Sequence, residues 1–194
     1  MPAPVAQGAT SNAVSATSIA LTTPKRNDGT ALVVGDTLWV AIIHGGSTTI
    51  SAPAGWDLVR SVPGNMTQNV TLFRRAVAST EPTSHTFTLS ASAAATGVMV
   101  AVSGAASAAP EAINSQAAAV TGTACPAPAV TTLGPDRLLL SFHAWSGGSL
   151  TDTSTASPPT GMAEKIERNS GAVTTLKRLV EANHVAQAAA GASG

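Results

Sequence analysis

Short apolar, β-branched runs recur along this chain, and most are closed by glycine or a polar turn. Runs of that length read as strands, and turn residues at such close spacing mark an all-β domain. Residues 37–43 end at Gly45-Gly46, residues 97–102 at Ser103-Gly104, and residues 137–145 at Gly147-Gly148. Residues 14–22, 69–77 and 172–180 read the same way. Residues 84–90 alternate strictly, with His85, Phe87 and Leu89 on one face and Thr86 and Thr88 on the other. Asp28-Gly29, inside a polar stretch, is a hairpin dipeptide.

Two stretches break the pattern. Residues 105–119 are alanine-rich, which favours helix. Gly104 and Pro110 interrupt them, so the expectation is a loop with one short helical turn after Pro110. Cys125-Pro126-Ala127-Pro128 reads as an extended connection, because proline cannot donate to a sheet ladder. The first 13 residues carry no period and read as a flexible N-terminal arm. Residues 14–194 are then expected to form a single antiparallel, two-sheeted β-sandwich domain.

An internal echo supports two facing sheets. Asp36-Thr37-Leu38-Trp39-Val40-Ala41-Ile42 is followed by Gly45-Gly46, Pro53, Gly55-Trp56 and then residues 71–77. About 100 residues later come Asp136-Arg137-Leu138-Leu139-Leu140-Ser141-Phe142, Gly147-Gly148, Pro159, Gly161-Met162 and residues 174–180. The echo also aligns Arg74-Arg75 with Lys177-Arg178.

Charge narrows the function classes. Ten basic side chains balance ten acidic ones in 194 residues, so a basic footprint for nucleic acid is missing. Near-zero net charge promotes association. One cysteine, Cys125, makes no intramolecular disulfide framework and reads as a small buried hydrophobe. The apolar runs are too short to span a bilayer as helices, and residues 1–10 do not read as a secretory signal.

Catalytic motifs are lacking. Gly-x-Ser-x-Gly, the P-loop and Gly-x-Gly-x-x-Gly are all absent. The carboxylates are scattered through turns and strand starts, and His44, His85, His143 and His184 have no metal-ligand spacing. The expectation is no catalytic, cofactor-binding or metal site. Trp39 and Trp145 sit in apolar strands and read as core. Trp56, after Gly55, either caps one end of the sandwich or lies on a binding surface for stacking sugars. Arg74 and Arg75, near a strand end, read as a solvated face or as donors to a neighbouring subunit. Trp56, Arg74 and Arg75 are therefore the candidate binding surface. Asn65-Met66-Thr67 and Asn69-Val70-Thr71 match glycosylation sequons.

The order of Gly35-Asp36-Thr37-Leu38-Trp39-Val40-Ala41, Pro53-Ala54-Gly55-Trp56-Asp57-Leu58-Val59, Leu72-Phe73-Arg74-Arg75-Ala76 and Thr86-Phe87-Thr88-Leu89 resembles a loose group of proteins. These are the β-sandwich virion structural proteins of tailed bacteriophages and prophages. Residues 98–104 and a late Pro110 extend the likeness, which covers about residues 14–190. It implies a jelly-roll-like, non-enzymatic, self-associating module without a cofactor, on a head, tail or fibre. A capsid decoration or cement protein leads. Its partners would be the major capsid protein or other virion proteins, with neither nucleic acid nor membrane bound. Assembly would take place in the bacterial host cytoplasm, and the arm would order against a neighbour. The alternatives are a minor tail or fibre protein, or a carbohydrate-binding module that contacts host glycans. In the resembling group the chain often continues into one more strand, which a neighbouring subunit would supply here.

Overall fold

A computed structural model describes residues 3–4, 9–64, 68–104, 109–117, 125–147, 150–151, 153–170 and 177–192. These residues form strands and loops, with no helix among them. The strands are β1 (Ala3–Pro4), β2 (Ala9–Thr22), β3 (Thr37–Gly45), β4 (Ile50–Ser51), β5 (Asp57–Pro63), β6 (Gln68–Ala76), β7 (Ser84–Ser103), β8 (Thr131–Thr132), β9 (Arg137–Gly147), β10 (Ala163–Asn169), β11 (Lys177–Gln187) and β12 (Gly191–Ala192). A large antiparallel sheet runs β1-β7-β3-β6-β5, with β2 and β4 also paired to β7. A small sheet runs β10-β11-β9, and β8 pairs with β12.

β3 is apolar on both faces, which is the mark of a strand covered on both sides. Leu38, Val40 and Ile42 belong to one core, and Ala41 and Ile43 to another. Both covers follow from the topology. The 20-residue β7 pairs on one side with β2 from Ser84 to Met99, and on the other with β4 in its first half and β3 in its second. Register shifts in β2 between Ala13, Ala16 and Ser18, with Ser15 at φ 47°, bend that ladder. Ile19, Leu21, Phe87 and Leu89 thereby join Leu38, Val40, Ile42 and Phe73 in the first core. On the opposite face Ala41, Ile43, Val98 and Val100 pack against Val180 and Ala182 of the small sheet, with Phe142, Ala144 and Ile166 beside them. The result is an all-β sandwich with an apolar layer on each side of β3.

The internal echo corresponds to two copies of one three-stranded unit. β3, β5 and β6 pair in the order β5-β6-β3, and β9, β10 and β11 pair in the order β10-β11-β9. Each second strand is entered through the same turn. The amide of Trp56 bonds Pro53 O across Gly55, and that of Met162 bonds Pro159 O across Gly161. Both glycines have positive φ, 84° and 82°, as a type II turn requires. Each of these strands also carries a bulge at the same place, at Val59 between Leu58 and Arg60 and at Lys165 between Glu164 and Ile166.

The offset is not constant. Asp57 pairs with Arg74 and Ala163 with His184, so the counterpart of Arg74 is His184. The two basic pairs aligned in sequence therefore sit at opposite ends of matching strands. Insertions in the connecting loops account for this drift.

Other expectations also changed. Ala9 to Ala13, expected in the arm, pair with Met99 to Ala95 of β7, and Ala3 and Pro4 pair with Ser103 and Val102. Among the described residues 111–117 there is no helical turn after Pro110. The runs at 84–90 and 97–102 are one strand. The last long strand extends to Gln187, while residues 172–176 of the expected run lie outside the described residues.

Candidate functional site

The three residues expected to form a binding surface are mostly buried. Trp56 is 9% exposed and Arg74 8% exposed. Trp56 follows the type II turn, which swings its ring onto Phe87 at 5.3 Å between centroids and edge-on to His85 at 5.0 Å. Its indole N–H donates to His85 Nδ1 at 3.2 Å. An Nδ1 that accepts must be unprotonated, so a neutral His85 carries its proton on Nε2.

That Nε2 lies 3.0 Å from Glu81 Oε1, and Arg75 Nε lies 3.0 Å from the same oxygen. Neither approach has hydrogen-bond angles: the Arg75–Glu81 contact is ionic, and the neutral His85 packs its Nε2–H against the carboxylate. Glu81 is anchored by the Ala78 amide at 2.9 Å, and Arg75 Nη1 donates to Ala54 O at 2.8 Å. Burial lowers the His85 pKa, Glu81 acts against that, and Arg75 adds to it. The Arg75–Glu81–His85–Trp56 chain thus ties the first turn of the repeat to the base of β7. Its histidine accepts the Trp56 N–H at Nδ1 and faces Glu81 with Nε2.

Arg74 turns the other way. Its Nη2 donates to Asp57 Oδ2 at 3.1 Å. This pair borders a groove of about 280 Å³ between β5 and the 109–113 segment, where Leu58, Val59, Pro110 and Ile113 also line it. Asp57 is 70% exposed at its side chain, so the pair contributes little stability.

A second polar cluster escaped the sequence reading. On the face of the small sheet away from the second core, cross-strand pairing sets Glu167, Glu181 and His143 in one row. Glu164, Asn183 and Ser141 form the next. The matching positions in the first copy are Thr71 and Ile42, and Phe73 and Val40, by the same pairing. Where the first copy presents core, the second presents polar groups. They are nevertheless covered: Glu181 is 0% exposed and Asn183 1% exposed. His143 Nδ1 donates to Cys125 O at 2.8 Å, and its Nε2 lies 3.1 Å from Ser141 Oγ. Neither carboxylate oxygen of Glu181, and neither amide atom of Asn183, has a hydrogen-bond partner.

Burial raises the Glu181 pKa. The nearby Asn183 amide pulls the other way, and Glu164 and Glu167 push it up further. Burial lowers His143 and raises the Cys125 thiol. The spacing 141/143 and 181/183 in two strand-like runs is the signal that could have exposed this face. Among the described residues no three His, Cys, Asp or Glu side chains meet in a metal-holding arrangement.

Compared with protein-family models, curated proteins and solved structures, the chain matches none.

Proposed function

We propose that this chain is a non-enzymatic structural protein of a tailed-phage virion, and that it decorates the head surface by binding the major capsid protein. The observation that carries the reading is the N-terminal edge of the large sheet. β1 and the first half of β2 are held by backbone pairing to β7. A peripheral strand of that kind can be extended or exchanged by a neighbouring copy. Weak charge suits a protein that works in many symmetric copies, where modest contacts are multiplied by avidity. Immunogold labelling of purified virions tests the assignment. Gold over heads supports decoration, gold at the tail or fibre tip moves the protein there, and accessible but unlabelled particles refute an external virion role. Deleting residues 1–13 should abolish head binding while leaving one cooperative unfolding transition. Full-affinity decoration by the deleted protein would remove the strand-exchange element.

The second reading is a carbohydrate-binding module for host glycans. Trp56 is sequestered, so its platform would be the half-buried Trp145, which stacks on His143 at 6.0 Å. Glycan titration followed by tryptophan fluorescence checks it, and an unshifted spectrum removes it.

A further inference from the structure

The covered polar face of the small sheet has a charge problem. Glu181 is fully buried with two unpartnered oxygens, beside an Asn183 amide that is equally unpartnered. A buried carboxylate normally takes a basic partner or several N–H donors, because an uncompensated charge there is very costly. The groups facing Glu181 supply neither. From β10 come Glu167, directly opposite, and Glu164, opposite Asn183. From β9 comes His143, whose Nδ1 is committed to Cys125 O and whose Nε2 lies at Ser141. Cys125, whose carbonyl accepts from His143, contributes a thiol that burial keeps neutral. On β11 itself, Lys177 lies on the same face but four residues away. Arg178 reaches in the opposite direction to bond Gln68 at 2.7 Å between the sheets.

We infer that Glu181 is a proton-binding site that latches the segment beginning at Cys125 over the small sheet. With the proton bound, the acid is neutral and stays covered beside Asn183. When the proton leaves to water, the carboxylate faces two further carboxylates and must hydrate. Hydration requires the cover to lift, which breaks the His143–Cys125 carbonyl bond. The latch closes in acid and opens toward alkaline pH.

Cys125 reports the opening, as the protein's one thiol. The full chain and Glu181→Gln are labelled with a thiol reagent from pH 5 to 8.5. The thiol's own ionisation is common to both, so the ratio of their rates isolates the latch. The ratio should start near one and climb, by at most about tenfold per pH unit, the limit for one proton. The Glu181 charge acting on the thiol alone would raise the thiol pKa and drive the ratio below one. A flat or falling ratio therefore overturns the inference. Glu164→Gln changes an exposed side chain and keeps the test alive if Glu181→Gln does not fold. Removing that facing charge should move the onset of wild-type-like labelling to lower pH, and an unmoved onset counts against the latch. Suppression of alkaline labelling by calcium would assign the site to a metal ion and overturn the proton reading.

Discussion

Glu81→Ala probes the tie between the first turn of the repeat and β7. Two unit charges 3.0 Å apart attract by about 5.5 kcal/mol at an effective dielectric near 20. Desolvation of both ends takes back most of that, since Arg75 and Glu81 are 14% and 8% exposed. Removing the carboxylate leaves the guanidinium buried without its counter-charge, which costs about 3–5 kcal/mol. Arg75→Met does the converse. The double variant removes both charges and should cost less than the sum, with a coupling of about 1–3 kcal/mol. Urea unfolding gives the three values. The emission of Trp56 should also shift in Glu81→Ala, because His85 loses the group that faces its Nε2. Single variants within about 0.5 kcal/mol of wild type, the range of an inert surface change, would refute the ionic account, as would strict additivity.

Two further perturbations test the repeat and the histidines. Gly161→Ala meets nothing within 4 Å and pays only the positive-φ penalty, about 1 kcal/mol. Gly55→Ala would put its Cβ 2.5 Å from Arg75 Nη1, so it should cost clearly more, and equal thermal shifts would contradict the turn geometry. All four histidines are held below the ordinary value of 6.5, with burial the main cause in each. The unfolded chain then binds protons that the fold refuses, so their contribution is full above about pH 6.5 and is lost as the pH falls below it. Urea midpoints of Glu181→Gln, which lacks the opposing titration of that acid, should decline from pH 7.5 down to 5.5. An unchanged midpoint would contradict the burial of these rings.

The strands legible in the sequence were those whose burial leaves a periodic mark. β3 reads as a continuous apolar run because both faces are covered. The start of β7 reads as alternation because Thr86 and Thr88 face out. β5 and β10 left no such mark. They are edge strands whose side chains are exposed or only half-buried, so neither period nor hydrophobicity announced them. Register was hidden for a related reason. Sequence similarity favoured a constant offset, whereas cross-strand pairing depends on loop lengths between the strands. The sequence left Trp56 open between an end cap and a surface, because a tryptophan beside a turn can point inward as easily as outward. His85 and Phe87 decide which, and they lie 29 and 31 residues away. The polar row was invisible because Ser141, His143, Glu181 and Asn183 meet only through the β9–β11 register.

That row bears on what the second copy is for. If its groups served stability, apolar replacements of similar volume would weaken the fold. Buried polar groups without partners argue the reverse, because their desolvation is not offset by hydrogen bonds. Glu181→Met with Asn183→Leu removes both groups and gives position 183 the apolar character of its counterpart Phe73. Replacing comparable buried charged groups by packed apolar ones often stabilises by about 1–4 kcal/mol. The double variant should therefore unfold at higher urea and lose the alkaline rise in Cys125 labelling. Denaturant unfolding at pH 8, where the wild-type carboxylate is most costly, gives the largest difference. A destabilised variant would mean that Glu181 and Asn183 hold the small sheet together, and the latch would fall. A stabilised variant that still opens with pH would separate the two and place the proton on another group, with Glu167, across β10 from Glu181 and itself raised by burial, first among them.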